Sequence, residues 1–338
     1  MNKFLVTGGA GFIGSSLVNA LIQSKNQVIV LDNLSKSNEN NISRWVDNPN
    51  FKFIHADIFD LNLLRNAVND CNIVFHLAAN PDVRQATTNT KIDYEQNLLA
   101  TYNLLEAMRS SSNCKKIIFT SSSTVYGEPE IMPTSEKYSP LIPISLYGAT
   151  KLACEAMISA YCHMFNISGI VLRLANVVGP TSTHGVIHDF ITKLSSSTTV
   201  HPKYLDVLGD GKQNKSYLYI DDCIDALTHV MKIENEMAYE IFNAGSKDRI
   251  DVSNIANIVI KELSLDNISI RLTGGVEGRG WKGDVKEMLL DSSKLETSGW
   301  TLKYNSREAV VLTVREIVSR LHNKVNVSSY ENLAKSRN

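Results

Sequence analysis

The chain carries no excess of charge of either sign: 34 lysines and arginines stand against 35 aspartates and glutamates, with eight histidines besides. No basic run breaks this balance, so nothing marks a surface for nucleic acid or a strong steering field. No apolar stretch approaches the ~20 residues that a membrane-spanning helix needs, so no membrane partner is expected. Only Met1-Asn2-Lys3 precedes the first apolar run, which leaves too little length for a signal peptide, and a cytoplasmic location is expected. The five cysteines (Cys71, Cys114, Cys154, Cys162 and Cys223) are odd in number, scattered, and without C-x-x-C or Cys/His metal spacing. They read as reduced thiols filling the core, and no metal is expected. Internal repeats are also lacking. What remains is an ordinary globular composition, 43% hydrophobic and 20% charged over 338 residues, sufficient for one large domain or two lobes.

The N-terminus does carry a specific pattern. Phe4-Leu-Val-Thr-Gly8-Gly-Ala-Gly11-Phe12-Ile13-Gly14 is an apolar run ending in glycines spaced three apart, followed by Leu17, Leu21 and Ile22 at helical intervals. This spacing predicts strand, tight turn and helix. Gly8 permits the turn, Gly11 lets backbone approach a pyrophosphate, and Gly14 lets helix and strand pack closely, while the helix N-terminus favours the phosphates. A second apolar strand, Val28 to Leu31, ends in Asp32, followed by Asn33. A carboxylate there can accept hydrogen bonds from the adenosine ribose and would repel a ribose phosphate, so NAD is favoured over NADP. Lys36 and Arg44 nearby weigh slightly the other way.

Further apolar runs at Phe51 to Ile54, Ile73 to Leu77, Lys116 to Thr120 and Ile170 to Leu174 alternate with helical stretches. The alternation predicts an α/β fold: a doubly wound parallel sheet of the Rossmann type. Long helices are expected over Asp93 to Ser110 and Leu146 to Phe165. Their apolar positions exceed one narrow stripe, so they serve either a homodimer interface or only their own sheet. After residue 176 turn-rich pieces separate short elements, which predicts a smaller C-terminal α/β lobe closing over the carboxyl ends of the strands. The expected division is 1–176 for the dinucleotide-binding domain, 177–322 for the substrate lobe and 324–338 for a frayed polar tail. Segments around 221–250, notably Ile241-Phe-Asn243, are expected to return to the sheet.

Chemistry points to the middle of the chain. Tyr147 and Lys151 are four apart on the second long helix and so share a face. A phenol, titrating near ~10, is a poor base at neutral pH, but a fixed ammonium and an oxidised nicotinamide both favour its phenolate. Thr120-Ser-Ser-Ser-Thr-Val-Tyr126-Gly127 places hydroxyls at a strand's carboxyl end, completing a Ser/Tyr/Lys set for moving a proton while a hydride leaves carbon. His55 and His76 lie in or beside apolar strands and read as structural.

Together these segments resemble the extended short-chain dehydrogenase/reductases, in the branch of nucleotide-sugar epimerases and dehydratases. The resemblance covers nearly the whole chain and rests on Gly8 to Gly14, Asp32-Asn-Leu34, His55-Ala-Asp57-Ile58, His76 to Ala79 and Asn97. It extends through Ser121 to Gly127, Tyr147 to Lys151, Leu172 to Pro180 and Tyr217 to Asp222. It implies that Asp57 and Ile58 flank the adenine, that Leu77, Ala78 and Ala79 line the middle of the NAD site, and that Lys151 bonds the nicotinamide ribose. Asn176 would hold the phosphate region of a nucleotide sugar, a UDP-hexose above all. Ser122, four before Tyr126, falls where the family has its catalytic hydroxyl. The next two positions are acidic in the family's 4,6-dehydratases; here they are Ser123 and Thr124, which cannot protonate a leaving hydroxyl. Epimerisation at carbon 4 through a 4-keto sugar is the mechanism so implied.

Two departures from the family concern the diphosphate. Lys215 and Trp281 stand where arginines are common, and Arg279 or Lys282 are candidates to compensate. Met288 occupies a position that limits room near carbon 2 of the sugar, and His188, with His184, is a further candidate substrate contact. Two other readings use the same residues: a nucleotide-sugar reductase or dehydrogenase that exchanges its cofactor, and a non-catalytic NAD-binding sensor.

Overall fold

The computed structural model describes residues 2–195, 203–233 and 237–335, with residues 322–335 as backbone alone. The first half alternates as the apolar pattern requires: β1 (Lys3–Thr7), α1 (Phe12–Gln23), β2 (Gln27–Asp32), β3 (Phe51–His55), α2 (Leu61–Asn69) and β4 (Ile73–His76). A single turn, α3 (Lys91–Asp93), runs through a π-helical stretch at Tyr94–Leu99 into α4 (Ala100–Ser110). β5 (Lys116–Ser122), α5 (Leu146–Phe165) and β6 (Ser168–Leu174) follow. The chain then leaves the sheet through β7 (Asn176–Val178), α6 (Val186–Ser195), β8 (Tyr204–Val207), β9 (Asn214–Lys215), β10 (Tyr217–Tyr219) and α7 (Ile220–Met231). It returns for β11 (Tyr239–Ala244) and ends in β12 (Ile250–Asp251), α8 (Val252–Glu262), β13 (Ser269–Leu272), β14 (Glu287–Met288), α9 (Ser293–Thr297) and α10 (Ser306–Lys335).

Seven strands form one parallel sheet in the order β11-β6-β5-β4-β1-β2-β3. This is the doubly wound fold expected, and β11 supplies the late return. The two-residue period of the strands divides the core. Phe4, Val6, Val28 and Val30 point to the face covered by α1 and α7, whereas Leu5, Ile29 and Leu31 point to the face covered by α2, α4 and α5. Strand order reverses between β1 and β4, so a crevice opens at their carboxyl ends, where open α/β sheets bind ligands. The remaining short strands and α8 build the lobe above that crevice, and their apolar side chains, such as Leu205, Ile255 and Met288, continue the core of the first face.

Body and lobe are stitched by polar groups that have no water to fall back on. The Tyr126 hydroxyl donates to Asn243 Oδ1 at 2.7 Å, and Asn243 Nδ2 donates to the carbonyls of Thr134 and Asp291. Beneath them Glu155 of α5 accepts from Arg173 of β6 at 2.6 Å and from the Ser121 hydroxyl at 2.5 Å, with both charged side chains 3% exposed.

Two expectations change. The helix before β5 starts at Lys91, earlier than Asp93, and carries a π-helical turn. α10 is helical through Lys335, where a frayed tail was expected from 324; once its packed first half fixes the register, each further residue adds a hydrogen bond at little cost.

Breaking the buried pair is expected to be costly because it strands a guanidinium in the core. Glu155→Ala should lower stability by about 3–5 kcal/mol in chemical denaturation. The double replacement Glu155→Leu with Arg173→Met, which removes both charges, should cost much less.

Candidate active site

At the sheet's topological switch lies a cavity of about 1050 Å³. Its wall includes the glycine turn, the ends of β2, β4 and β5, the start of α5, the β7 and α6 region, and the lobe residues from Leu208 to Val285. Sixteen residues expected from the sequence therefore share one space: Gly8, Gly11, Phe12, Ile13, Gly14, Asp32, Asn33, Asp57, Ile58, Leu77, Ala78, Ala79, Ser122, Tyr147, Lys151 and Asn176. His188, Lys215 and Trp281 line it too, while Arg279 and Met288 are outside the lining.

The glycine turn has the tightness that its sequence implies. Gly8 has φ +71°, and a Cβ on Gly14 would lie 2.1 Å from the Gly8 carbonyl oxygen. Any side chain at Gly14 would push α1 off the turn and close the cradle at its N-terminus. Asp32 braces the same turn: Oδ2 accepts from Ala10 N at 2.9 Å, and Oδ1 accepts from Leu34 N and the Ser37 hydroxyl. Its remaining lone pairs can accept from a ribose. Asp57 is held by Asn33 Nδ2 at 2.7 Å. A bare cradle at a helix N-terminus, a carboxylate next to it and an apolar floor fit a dinucleotide such as NAD.

The reacting groups are fixed by the contact of α5 with β5. Ser145 caps α5, accepting from Gly148 N at 3.1 Å. Gly148 packs so closely that a Cβ there would meet the Thr124 carbonyl at 2.7 Å, which holds Tyr147 near the end of β5. Lys151 is 2% exposed; its Nζ donates to the Thr120 carbonyl at 2.9 Å and lies 5.7 Å from the centre of the Tyr147 ring. Ser122 accepts from both the amide and the hydroxyl of Thr124, so its own O–H is the group it can offer a ligand. Behind them runs a buried relay: His76 bridges Thr7 and Thr101, Thr101 donates to the Asn97 carbonyl, and Asn97 donates to Thr150 on α5. Burial holds the His76 imidazole down at about 3, so it stays neutral and structural.

Burial dominates the titration of this site. It pushes the Tyr147 phenol above its ordinary value, with the carboxylate of buried Asp93 acting in the same direction. It also lowers the Lys151 amine to about 8, against the pull of Cys154, Glu155 and Asp93. Without a bound ligand, burial dominates the phenol. A further positive charge beside it would act in the opposite direction.

On the lobe side Asn176 is anchored through Nδ2 to the Ser216 carbonyl at 3.2 Å. Lys215 pairs with Asp284 at 2.6 Å. Arg279 is spent elsewhere: its guanidinium forks onto Glu128, one contact being 2.7 Å, and also donates to the Asp284 carbonyl. Lys282 is likewise outside the cavity lining. Met288 is 3% exposed in β14, opposite Lys215 in the register, and turns into the lobe core. It lies beside Lys215 on the neighbouring strand but outside the cavity lining. Arg84 and Asp189, absent from the sequence expectations, bridge the cavity mouth at 3.4 Å between the loop after β4 and α6. No local signal marks that pair, because its partners are 105 residues apart.

Residues 4–245 match the NAD dependent epimerase/dehydratase family, and the chain belongs to that family. It is 34% identical over 311 residues to a putative UDP-glucose 4-epimerase of Methanocaldococcus jannaschii, covering 90% of this chain and 95% of that protein. A crystal structure of a UDP-galactose 4-epimerase superposes with a TM-score of 0.82 at 38% identity, covering 94% of this chain and 99% of that one. The UDP-glucuronic acid 4-epimerase of Bacillus cereus, in complex with UDP-glucuronic acid and NAD, gives 0.84 at 29% identity with the same coverage.

The lowered Lys151 value has a thermodynamic consequence. Between about 8 and the ordinary 10.5 the folded state holds fewer protons at this site than the unfolded state, so the contribution of Lys151 to stability rises with pH across that window. The difference in melting temperature between the parent and Lys151→Met should shift in favour of the parent from pH 7.5 to pH 10. A constant difference would show that Lys151 titrates normally.

Proposed function

We propose that this family member interconverts nucleotide sugars at carbon 4 through a transient 4-keto intermediate. UDP-glucose and UDP-galactose are the first pair to consider, and the N-acetylhexosamine forms are open. The observation that carries this reading is the convergence of Ser122, Tyr147 and Lys151 on one cavity with the glycine turn, in the absence of an acid beside Ser122. Ser123 is buried and Thr124 is engaged with Ser122. Elimination of a sugar hydroxyl needs a proton donor at that place, whereas oxidation and reduction at a single carbon do not.

Bound NAD would supply the hydride acceptor and, once reduced, the donor. The remaining work falls to the chain. Tyr147 takes the proton of the 4-hydroxyl and later returns it, and Ser122 shares a hydrogen bond with the same oxygen. Lys151 holds a positive charge beneath the phenol, and the positive charge of an oxidised nicotinamide adds to it, opposing the effect of burial. Gly8 to Gly14, Asp32, Asp57 and the Leu77 to Ala79 stretch would hold the cofactor, and Asn176, Lys215 and His188 the nucleotide sugar. The assembly belongs to the same proposal: Tyr102 on α4 and Leu146 and Met164 on α5 are exposed apolar side chains suited to pairing these helices in a homodimer.

The purified protein, with no added NAD, is expected to interconvert UDP-galactose and UDP-glucose, resolved by chromatography, and to show whether UDP-N-acetylgalactosamine is also accepted. No conversion even with NAD present would sink the proposal, and conversion only with stoichiometric NADH or NADPH would favour a reductase. Tyr147→Phe should lower kcat by roughly 10²- to 10⁴-fold while NAD binding, followed by calorimetry, is retained. Unchanged turnover would remove Tyr147 from the assigned role.

A further inference from the structure

Two cations of the lobe near the cavity are already engaged. Lys215 is tied to Asp284 at 2.6 Å, and Arg279 is tied to Glu128 and to the Asp284 carbonyl. Trp281 lines the same wall, with Gly280, Gly283 and Asp284. The indole is held against bare backbone. Gly283 has φ +99°, and a Cβ there would come within 2.9 Å of the six-membered ring of Trp281 and within 3.0 Å of the Ile144 carbonyl. Ile144 immediately precedes Ser145, the cap of the helix that carries Tyr147. The ring is therefore seated where the lobe meets the start of α5, in the same space as Ser122, Tyr147 and Lys151.

From this placement we infer that Trp281 is a stacking platform for the hexose ring and so a specificity-determining residue; the inference rests on the 4-epimerase reading of the site. A hexose presents C–H groups on a ring face, and an aromatic face attracts such a surface without fixing it by directional hydrogen bonds. An arginine fork in the same place would clamp oxygens in one orientation. A keto sugar that must show both faces to one hydride donor needs the first kind of contact: adhesion that survives rotation. The nucleotide is then held by groups other than Trp281, and the indole acts on the sugar alone.

The test compares equilibrium binding of UDP-galactose with that of UDP, by calorimetry, in the parent protein, Trp281→Phe and Trp281→Leu. Losing the aromatic face in Trp281→Leu should weaken UDP-galactose about five- to tenfold, the size of an aromatic contact, and leave UDP within about twofold. Trp281→Phe should keep most of the sugar affinity, and Trp281→Met supplies the same comparison as Leu if that variant does not fold. In turnover the loss should appear chiefly in KM. Equal weakening of UDP and UDP-galactose would make the indole a nucleotide contact and overturn the inference, as would no change in either. Turnover by the parent in the same preparation is the separate check. Its absence would defeat the 4-epimerase reading, whereas turnover with equal weakening would defeat only the platform.

Discussion

Everything at the reactive centre depends on one buried contact, the amine of Lys151 donating to the carbonyl of Thr120 at 2.9 Å. It ties the first turns of α5 to the end of β5, and so fixes Tyr147 relative to Ser122 without either residue touching the other. The same contact takes the amine out of water. Burial of that kind lowers the amine and raises the phenol. A positive charge brought beside the phenol would oppose its rise. The oxidised form of a nicotinamide cofactor has the right sign, and the reduced form does not.

The lobe manages charge by another route. Two of its cations near the cavity are paired with carboxylates, Lys215 with Asp284 and Arg279 with Glu128. The first pair is partly buried, at 19% and 14% exposure, so drawing Lys215 away to a diphosphate would leave the Asp284 carboxylate without its partner. The second pair joins the lobe to the loop after β5 and steadies the wall on which Trp281 sits. Under the proposed reading, nucleotide and sugar would be held by different residues.

Much of this was legible in the sequence, and what escaped it has a physical reason. The glycine turn, Asp32, and the Tyr147 and Lys151 pair are local: each signal lies within one strand-turn-helix or one helical turn, and each lines the cavity as expected. The parallel sheet followed from alternating apolar runs, including the late strand at Tyr239–Ala244. The lobe was less readable because its contacts are long-range. Nothing local says that Arg279 will find Glu128, 151 residues away. Met288 was named by its position in a family, which says nothing of depth; it is buried and outside the cavity lining. Gly148 escaped because its value lies in what it permits, the approach of Thr124, and a bare position leaves no chemical signature.

In the proposed reaction hydride leaves carbon 4 and returns to the same carbon within a single enclosed site. The most direct test follows UDP-galactose deuterated at carbon 4 into product, with mass spectrometry and NMR reading the label. The account requires UDP-glucose that keeps its deuterium at carbon 4, with none released to water or to free reduced cofactor. Loss of the label to the medium, or its appearance in a cofactor that leaves the protein, would contradict it.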